Sequence, residues 1–243
     1  MTVASATEDF EKKFGLEAIP DSVRRLNQLL NKCDATSTAA FAALVNQDAE
    51  LTARLLRAAN PRAESEEDYG ITTVEDALQR TGMSSVLLLA MSDPLIRAVL
   101  KSFNTMLRIE LKSVLPQALA PLNEVHVVGE VGFTGKARGR VHLHLPGSFI
   151  PLLGERLLGL TQADMADPAT AADVIGELCN MIVGNFKSNL CDAGLNCKLT
   201  QPRITNTAEF KLLIVEGGTS QRYGFRADEA GFFADLSVNP YAE

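Results

Sequence analysis

The stretch ATAADVIGELCNMIVGNFKSNLCDAG, residues 169–194, decides the fold of the second half of this chain. Its apolar residues recur at steps of three and four, which is the period of an amphipathic helix. They are Val174, Ile175, Leu178, Ile182, Phe186 and Leu190. We therefore predict one long helix over about 167–193, with Gly194 as its stop and its apolar face packed against a sheet.

The opposite side of this helix carries a narrow line of polar and small residues, here called the seam: Asp173, Glu177, Asn180, Gly184 and Lys187. Asparagine is a poor helix former, and a mid-helix glycine costs roughly 0.5–1 kcal/mol relative to alanine. A carboxylate and an amide one turn apart, beside a glycine, can enter a neighbouring molecule's cleft together. Alternatively, Glu177 and Asn180 are ordinary solvated residues, and Gly184 allows close helix packing.

The segments around the long helix alternate between apolar and polar residues, which is typical of strands. Residues 125–131 and 141–145 predict a hairpin around a turn at Thr134, Gly135 and Lys136. A short helix is predicted over about 148–160. Further strands are predicted at residues 198–205, 209–215, 221–226 and 231–238. This half should form a mixed sandwich with a mainly antiparallel sheet and a long central helix.

The first half of the chain shows helical periodicity from residue 21 to residue 100. Asn60 and Pro61 should end the third helix, and Thr72 and Thr73, followed by Glu75, should start the fourth. Asp93 and Pro94 interrupt the next apolar stretch, and Pro94 marks either a boundary or the start of a new helix. A further helix is predicted over about 102–119.

The predicted fold class is α+β, with an all-helical domain at residues 1–100 and an α/β sandwich at residues 101–243. The 243 residues are enough to bury a core without disulfides. The four cysteines, Cys33, Cys179, Cys191 and Cys197, form no CxxC pair. They are expected to be free, mostly buried thiols.

Charge and hydropathy exclude several classes of protein. The net charge is −7, and neither half has a basic stripe suited to nucleic acid. The longest purely apolar run, Val86 to Met91, is six residues long and too short to span a membrane. The first residues do not resemble a secretory signal. We expect a cytoplasmic protein with no nucleic-acid or membrane partner.

The run GELCNMIVGNFK, residues 176–187, closely resembles the ELxNMIxGNxK segment of the CheX branch of the CheC/CheX/FliY chemotaxis phosphatases. Further similarities are Thr134, Gly135 and Gly139 in the hairpin, Asp167 before the long helix, and Gln201 with Pro202 after that helix. The resemblance extends from about residue 103 to residue 243.

The resemblance implies that the protein dephosphorylates the aspartyl phosphate of a CheY-like response regulator in bacterial chemotaxis or two-component signalling. Glu177 and Asn180 would be catalytic, with Asp173 and Gly184 in supporting roles. The regulator would carry Mg²⁺, so the chain would need no metal or cofactor of its own. A homodimer joined through the sheet edges is also implied. The alternative is a signalling adaptor that binds a response regulator without catalysis.

Residues 19–92 resemble the front of an HDOD domain, a helical signalling module related to HD phosphohydrolases. The resemblance rests on Ile19 with Pro20, on residues 48–57 with Asn60, and on residues 71–77 before Gly82. Because no histidine precedes His126, this half lacks the ligands of a metal-dependent hydrolase. It has a regulatory or binding role, or it covers the second domain.

All three histidines of the chain fall in the predicted hairpin. A turn near Gly135 would place His126 opposite His144, with His142 on the same face. This arrangement is either a metal-binding face or a set of ordinary exposed strand residues.

Overall fold

The computed structural model describes residues 38–60, 65, 67, 69–122, 125–135, 138–192, 195–212, 218–228 and 230–239. Some predictions lie outside these residues: the first helix of the chain, the thiol of Cys33, the turn residue Lys136 and the helix stop Gly194.

Six α-helices lie in the described part of the chain. They are α1 (Thr38–Val45), α2 (Ala49–Ala59), α3 (Val74–Thr81), α4 (Met83–Lys101), α5 (Ile150–Leu158) and α6 (Pro168–Asp192). As predicted, α2 ends just before Asn60, and α3 begins just after Thr73, whose hydroxyl accepts a hydrogen bond from the Asp76 backbone N–H at 3.2 Å. None of these helices alone could cross a bilayer; Val74–Thr81 and Ser85–Leu107 reach the required length and hydropathy only as a pair bent by 89°.

Seven strands form one antiparallel sheet in the order β1-β6-β7-β3-β2-β4, with β5 also paired to β2. They are β1 (Lys112–Val114), β2 (His126–Gly135), β3 (Gly139–Pro146), β4 (Cys197–Leu199), β5 (Arg203–Thr207), β6 (Thr219–Ala227) and β7 (Ala230–Val238). The predicted α+β class, the hairpin β2–β3, the short helix α5 and the long helix α6 are confirmed.

The predicted interruption at Asp93 and Pro94 is wrong, because α4 continues through Pro94 without a break. A proline inside a helix removes one backbone hydrogen bond. The apolar residues on both sides of it, Met91 and Leu95, are fully buried. Their packing offsets the cost of the proline.

The predicted helix over 102–119 is also wrong. Ser102–Leu107 forms a π-helical turn, which ends where Arg108 takes a left-handed conformation with φ of 55°. Strand β1 and a 3₁₀ turn at Pro116–Ala118 follow.

The predicted strand over 198–205 is split into β4 and β5. Pro202 lies at the break, where a residue without a backbone N–H cannot extend the ladder of hydrogen bonds. Residues 209–212 of another predicted strand form no strand, and the rest of that prediction lies outside the described residues.

The core of the second half lies between α6 and the sheet. All six apolar residues predicted to face the sheet are completely buried. The helix crosses β2 at Gly129, where a Cβ atom would collide with Cys179 Sγ. Burial raises the pKa of the Cys179 thiol to about 12, so this cysteine is an unreactive core residue.

Helix α4 joins the two halves of the molecule. It packs against α2 on one side and against α6, β6 and β7 on the other. A buried hydrogen bond of 2.5 Å links Ser92 of α4 to the hydroxyl of Tyr223 of β6. The predicted boundary between residues 100 and 101 falls at the end of this shared helix, and it stays a prediction.

The three histidines lie on the face of the sheet opposite α6, here called the outer face. They share this face as predicted, but the predicted pairing is wrong by two residues: His126 lies opposite Pro146, and His144 lies opposite Val128. All three side chains are buried, so they are not exposed strand residues. The described residues contain no group of three His, Cys, Asp or Glu side chains arranged to hold a metal ion.

Candidate functional site

The seam lies along the side of α6 that faces away from the sheet. Asp173, Glu177 and Asn180 are exposed, and Gly184 and Lys187 are partly buried. The structure therefore brings the predicted site residues together as one line on the molecular surface.

Asp167 binds the first turn of α6 and fixes where the helix begins. The Asp167 carboxylate accepts hydrogen bonds from the backbone N–H groups of Ala169 and Thr170, each at 3.2 Å. The Thr170 hydroxyl donates a third at 2.9 Å. The hydrogen bond from the Thr170 hydroxyl, followed by the two from the backbone, lowers the pKa of Asp167. An ionised carboxylate at this position satisfies helix N–H groups and suits the helix dipole.

The buried face of α6 then fixes the rotation of the helix about its axis. Since Val174 and Leu178 are completely buried, residues on the opposite side must face solvent. Glu177 and Asn180 are three residues apart, which places their Cβ atoms about 5–6 Å from each other on a helix. Neither side chain forms a hydrogen bond or ion pair with any described residue. Both are available to a second molecule.

Gly184 extends the seam one turn beyond Asn180 without a side chain. A Cβ atom at this position would have no heavy atom of the described residues within 4 Å. The glycine is therefore not explained by close packing of α6 on a described element. It leaves the surface beside Asn180 low and accessible.

A groove of about 440 Å³ borders the seam at Glu177. Its lining includes Asp173 and Met181 of α6, Leu158 of α5 and Met106 of the π-helical turn. Met106 and Leu158 are each 53% exposed, so they add apolar surface next to the seam. The sequence does not predict this groove, because the periodicity of residues 102–119 indicates an ordinary helix.

The other residues behind the resemblance lie in the sheet and its connections. Gly135 is paired with Cys197, and Gly139 lies at the start of β3, where a Cβ atom would collide with the Ser237 carbonyl oxygen. Pro202 lies between β4 and β5. These positions shape the sheet and contribute no side chain to the seam.

Residues 127–225 match the family described as chemotaxis phosphatase CheX, and residues 16–120 match the HDOD domain family. The first match contains the whole of α6 and its seam. The second covers the described helices α1 to α4. A comparison with curated protein sequences finds no match.

Solved structures of chemotaxis proteins share the fold of the second half. CheX from Vibrio vulnificus is 18% identical, with a TM-score of 0.52 over 61% of this chain and 96% of that chain. A CheC-like superfamily protein from Shewanella sp. PV-4 is 22% identical, with a TM-score of 0.52 over 62% of this chain and 97% of that chain.

CheX in the CheX–CheY–BeF₃–Mg²⁺ complex from Borrelia burgdorferi is 20% identical, with a TM-score of 0.50 over 62% of this chain and 98% of that chain. These likenesses establish a common fold. The chain thus joins a helical half that matches the HDOD family to a second half that matches the CheX chemotaxis phosphatase family in sequence and has its fold.

Proposed function

We propose that this protein removes the phosphoryl group from the aspartyl phosphate of a CheY-like response regulator. The observation that carries the proposal is the exposed pair Glu177 and Asn180, one turn apart on α6, within the segment that matches the CheX family. A CheY-like substrate also places the activity in the cytoplasm and in chemotaxis or a related two-component pathway.

Asn180 positions the attacking water. A carboxamide both donates and accepts hydrogen bonds, so it can hold a water molecule in line with the bond between phosphorus and the aspartyl oxygen. Phosphoryl transfer gains most from such positioning and from electrostatic stabilisation of the transition state. The water attacks phosphorus, the bond to the aspartyl oxygen breaks, and inorganic phosphate and a free carboxylate are the products.

Glu177 orients the docked regulator. Its carboxylate is exposed and has no basic partner among the described residues, so it is available to a regulator lysine. A charge-assisted hydrogen bond between the two would fix α6 at the mouth of the acyl-phosphate pocket. Asp173, one turn earlier, lies in the groove with Glu177 and supports the same contact.

The metal of this reaction belongs to the regulator. The Borrelia structure that shares this fold contains CheY, BeF₃ and Mg²⁺ together with CheX. In the proposed reaction, Mg²⁺ on the regulator neutralises charge on the phosphoryl oxygens, and the present chain supplies the amide and the carboxylate.

The proposal is tested by the lifetime of a phosphorylated regulator. Each CheY-like regulator of the same organism is phosphorylated, and its decay is measured with and without the full chain. We expect accelerated decay of at least one regulator. Asn180→Ala should reduce the acceleration by about 10²–10³-fold, the effect typical of removing one transition-state hydrogen bond. Asn196→Ala, which changes an exposed asparagine outside the seam, is the matched control and should leave decay unchanged.

A second measurement separates a phosphatase from an adaptor. Binding of the regulator in its beryllofluoride form should survive in Asn180→Ala and weaken in Glu177→Gln. If the wild-type protein binds this form but never shortens the lifetime of the phosphoryl group, the chain is an adaptor and the proposal is wrong.

Pairing of two chains through their sheet edges stays a prediction. The described sheet ends at β1 on one side and at β4 and β5 on the other. Strand β1 has only three paired residues, whereas β5 has five and is mostly exposed. Light scattering of the purified chain would show whether a dimer forms.

A further inference from the structure

The outer face of the sheet contains a cavity that the proposed phosphatase reaction does not use. Two segments cover this face: residues 115–122, which precede β2, and residues 208–212, which follow β5. The cavity between them has a volume of about 520 Å³. The whole sheet separates it from α6 and the seam.

The walls of this cavity are apolar. Leu119 and Leu122 come from the first segment, Phe210 from the second, and Phe233 from β7. Leu119 packs directly on the sheet, because Cβ atoms at Gly224 and Gly231 would lie only 3.1 and 2.8 Å from its side chain. The T-shaped contact between Phe210 and His144, at 4.8 Å between ring centroids, fixes the opposite wall.

The floor is a network of polar groups with fixed orientation. Arg222 donates two hydrogen bonds of 2.7 Å, from Nε and Nη2, to the two oxygens of Asp235. His144 Nε2 lies 3.0 Å from Asp235 Oδ2, and His144 Nδ1 lies 3.4 Å from His126 Nε2. Asp235 is only 2% exposed. Its carboxylate is therefore fully occupied beneath the cavity and does not face a ligand.

Arg222 still has hydrogen-bonding capacity toward the cavity. Its third guanidinium nitrogen, Nη1, makes no hydrogen bond to the described residues. The side chain is 47% exposed, and its guanidinium carbon lies 5.2 Å from the centre of the Phe233 ring. The described lining includes this one cation and no carboxylate. Because Asp235 already pairs with Arg222, the free N–H groups of Nη1 can bind no more than one anionic acceptor group, and the site is thus suited to a single negative charge next to an apolar surface.

We propose that this cavity binds a small organic monoanion with a flat apolar body. The anionic group accepts a hydrogen bond from Arg222 Nη1, and the body packs between Phe210, Phe233 and Leu119. The site is separate from the seam, so the proposal does not depend on phosphatase activity.

Two fluorescent probes with the same ring system test the proposal on the full chain. 8-Anilino-1-naphthalenesulfonate carries one negative charge, and N-phenyl-1-naphthylamine carries none. We expect saturable one-site binding of both probes, with the sulfonate bound more tightly. Gln117→Glu changes an exposed lining residue into a carboxylate of the same shape. This variant should weaken binding of the sulfonate by about three- to tenfold and leave the affinity for the amine unchanged.

A second variant tests the location. Ala208→Trp fills the cavity from an exposed lining position and should abolish binding of both probes. Leu158→Gln, in the groove beside the seam, is the control for adsorption to another apolar surface and should change neither affinity. Thermal melting of each variant checks that it is folded. Equal weakening of both probes by Gln117→Glu, continued binding to Ala208→Trp, or loss of binding in Leu158→Gln would each overturn the proposal.

Discussion

The effect of Gly184 on stability can be separated by experiment from its effect on activity. Because a Cβ atom there would meet nothing within 4 Å of the described residues, Gly184→Ala should raise the free energy of unfolding by about 0.5–1 kcal/mol. The same methyl group would stand between the docked regulator and Asn180, so dephosphorylation should slow. Chemical denaturation and the decay assay measure the two effects. A more stable variant with undiminished activity would show that the low surface is not used.

Asp235 should make the stability of the protein depend on pH in the acidic range. Burial alone would raise the pKa of this carboxyl, but hydrogen bonds from Arg222 and His144 lower it to about 2. An ordinary aspartate in the unfolded chain has a pKa of about 3.9 and takes up its proton first as the pH falls. The free energy of unfolding should therefore decrease between about pH 4 and pH 2.

Urea unfolding at a series of pH values measures this dependence. In Asp235→Asn the free energy of unfolding should decrease less between about pH 4 and pH 2, because the variant lacks this carboxyl. An equal slope in the variant and in the wild type would contradict the assignment.

Single residues also show where sequence reasoning succeeds and where it fails. The burial of Val174 and Leu178 and the exposure of Glu177 and Asn180 follow from helical periodicity, because 100° per residue leaves one arrangement that hides the apolar side. The exposure of Met106 could not be predicted, since it depends on the π-helical turn. The partner predicted for His126 is wrong because the hydropathy pattern repeats every two residues and does not fix the register.

At the scale of elements, α3 offers a simple test of how the helical half is stabilised. The Thr73 hydroxyl accepts a hydrogen bond from the Asp76 N–H and donates one to the Asp76 carboxylate at 2.7 Å. Thr73→Ala should lower the free energy of unfolding by about 1 kcal/mol. Thr72→Ala removes a neighbouring exposed hydroxyl and should change it by less than about 0.5 kcal/mol. Similar losses in both variants would rule out capping as the cause.

The wrong predictions at Pro94 and Pro202 have opposite physical causes. Helix α4 passes through Pro94 because tertiary packing of Met91 and Leu95 outweighs the local preference of proline. The break between β4 and β5 at Pro202 reflects a local rule, the missing N–H, that the alternating pattern alone does not contain. Periodicity identifies the long elements, but whether a proline ends one depends on how strongly the residues around it are packed.

At the scale of the whole molecule, α4 determines where the protein can be divided. A fragment that begins at Met83 keeps the helix that covers β6, β7 and α6. A fragment that begins at Ser102 loses it and exposes the surface of β6, β7 and α6 that α4 covers. We expect the longer fragment to unfold cooperatively and the shorter one to aggregate. Circular dichroism melts and gel filtration compare them, and a well-folded shorter fragment would support the predicted boundary at residue 101.

Two hydrogen bonds link α4 and the turn that follows it to α6, the helix that carries the seam. Asn189 of α6 donates to the Pro94 carbonyl oxygen at 3.1 Å, and Asn185 of α6 donates to the Ser102 hydroxyl at 3.1 Å. A shift of α4 along its axis would lengthen both hydrogen bonds or move α6 with it. Since such linkage is reciprocal, a movement of α6 on binding of a regulator at the seam would be transmitted through the same two hydrogen bonds to α4 and the helical half.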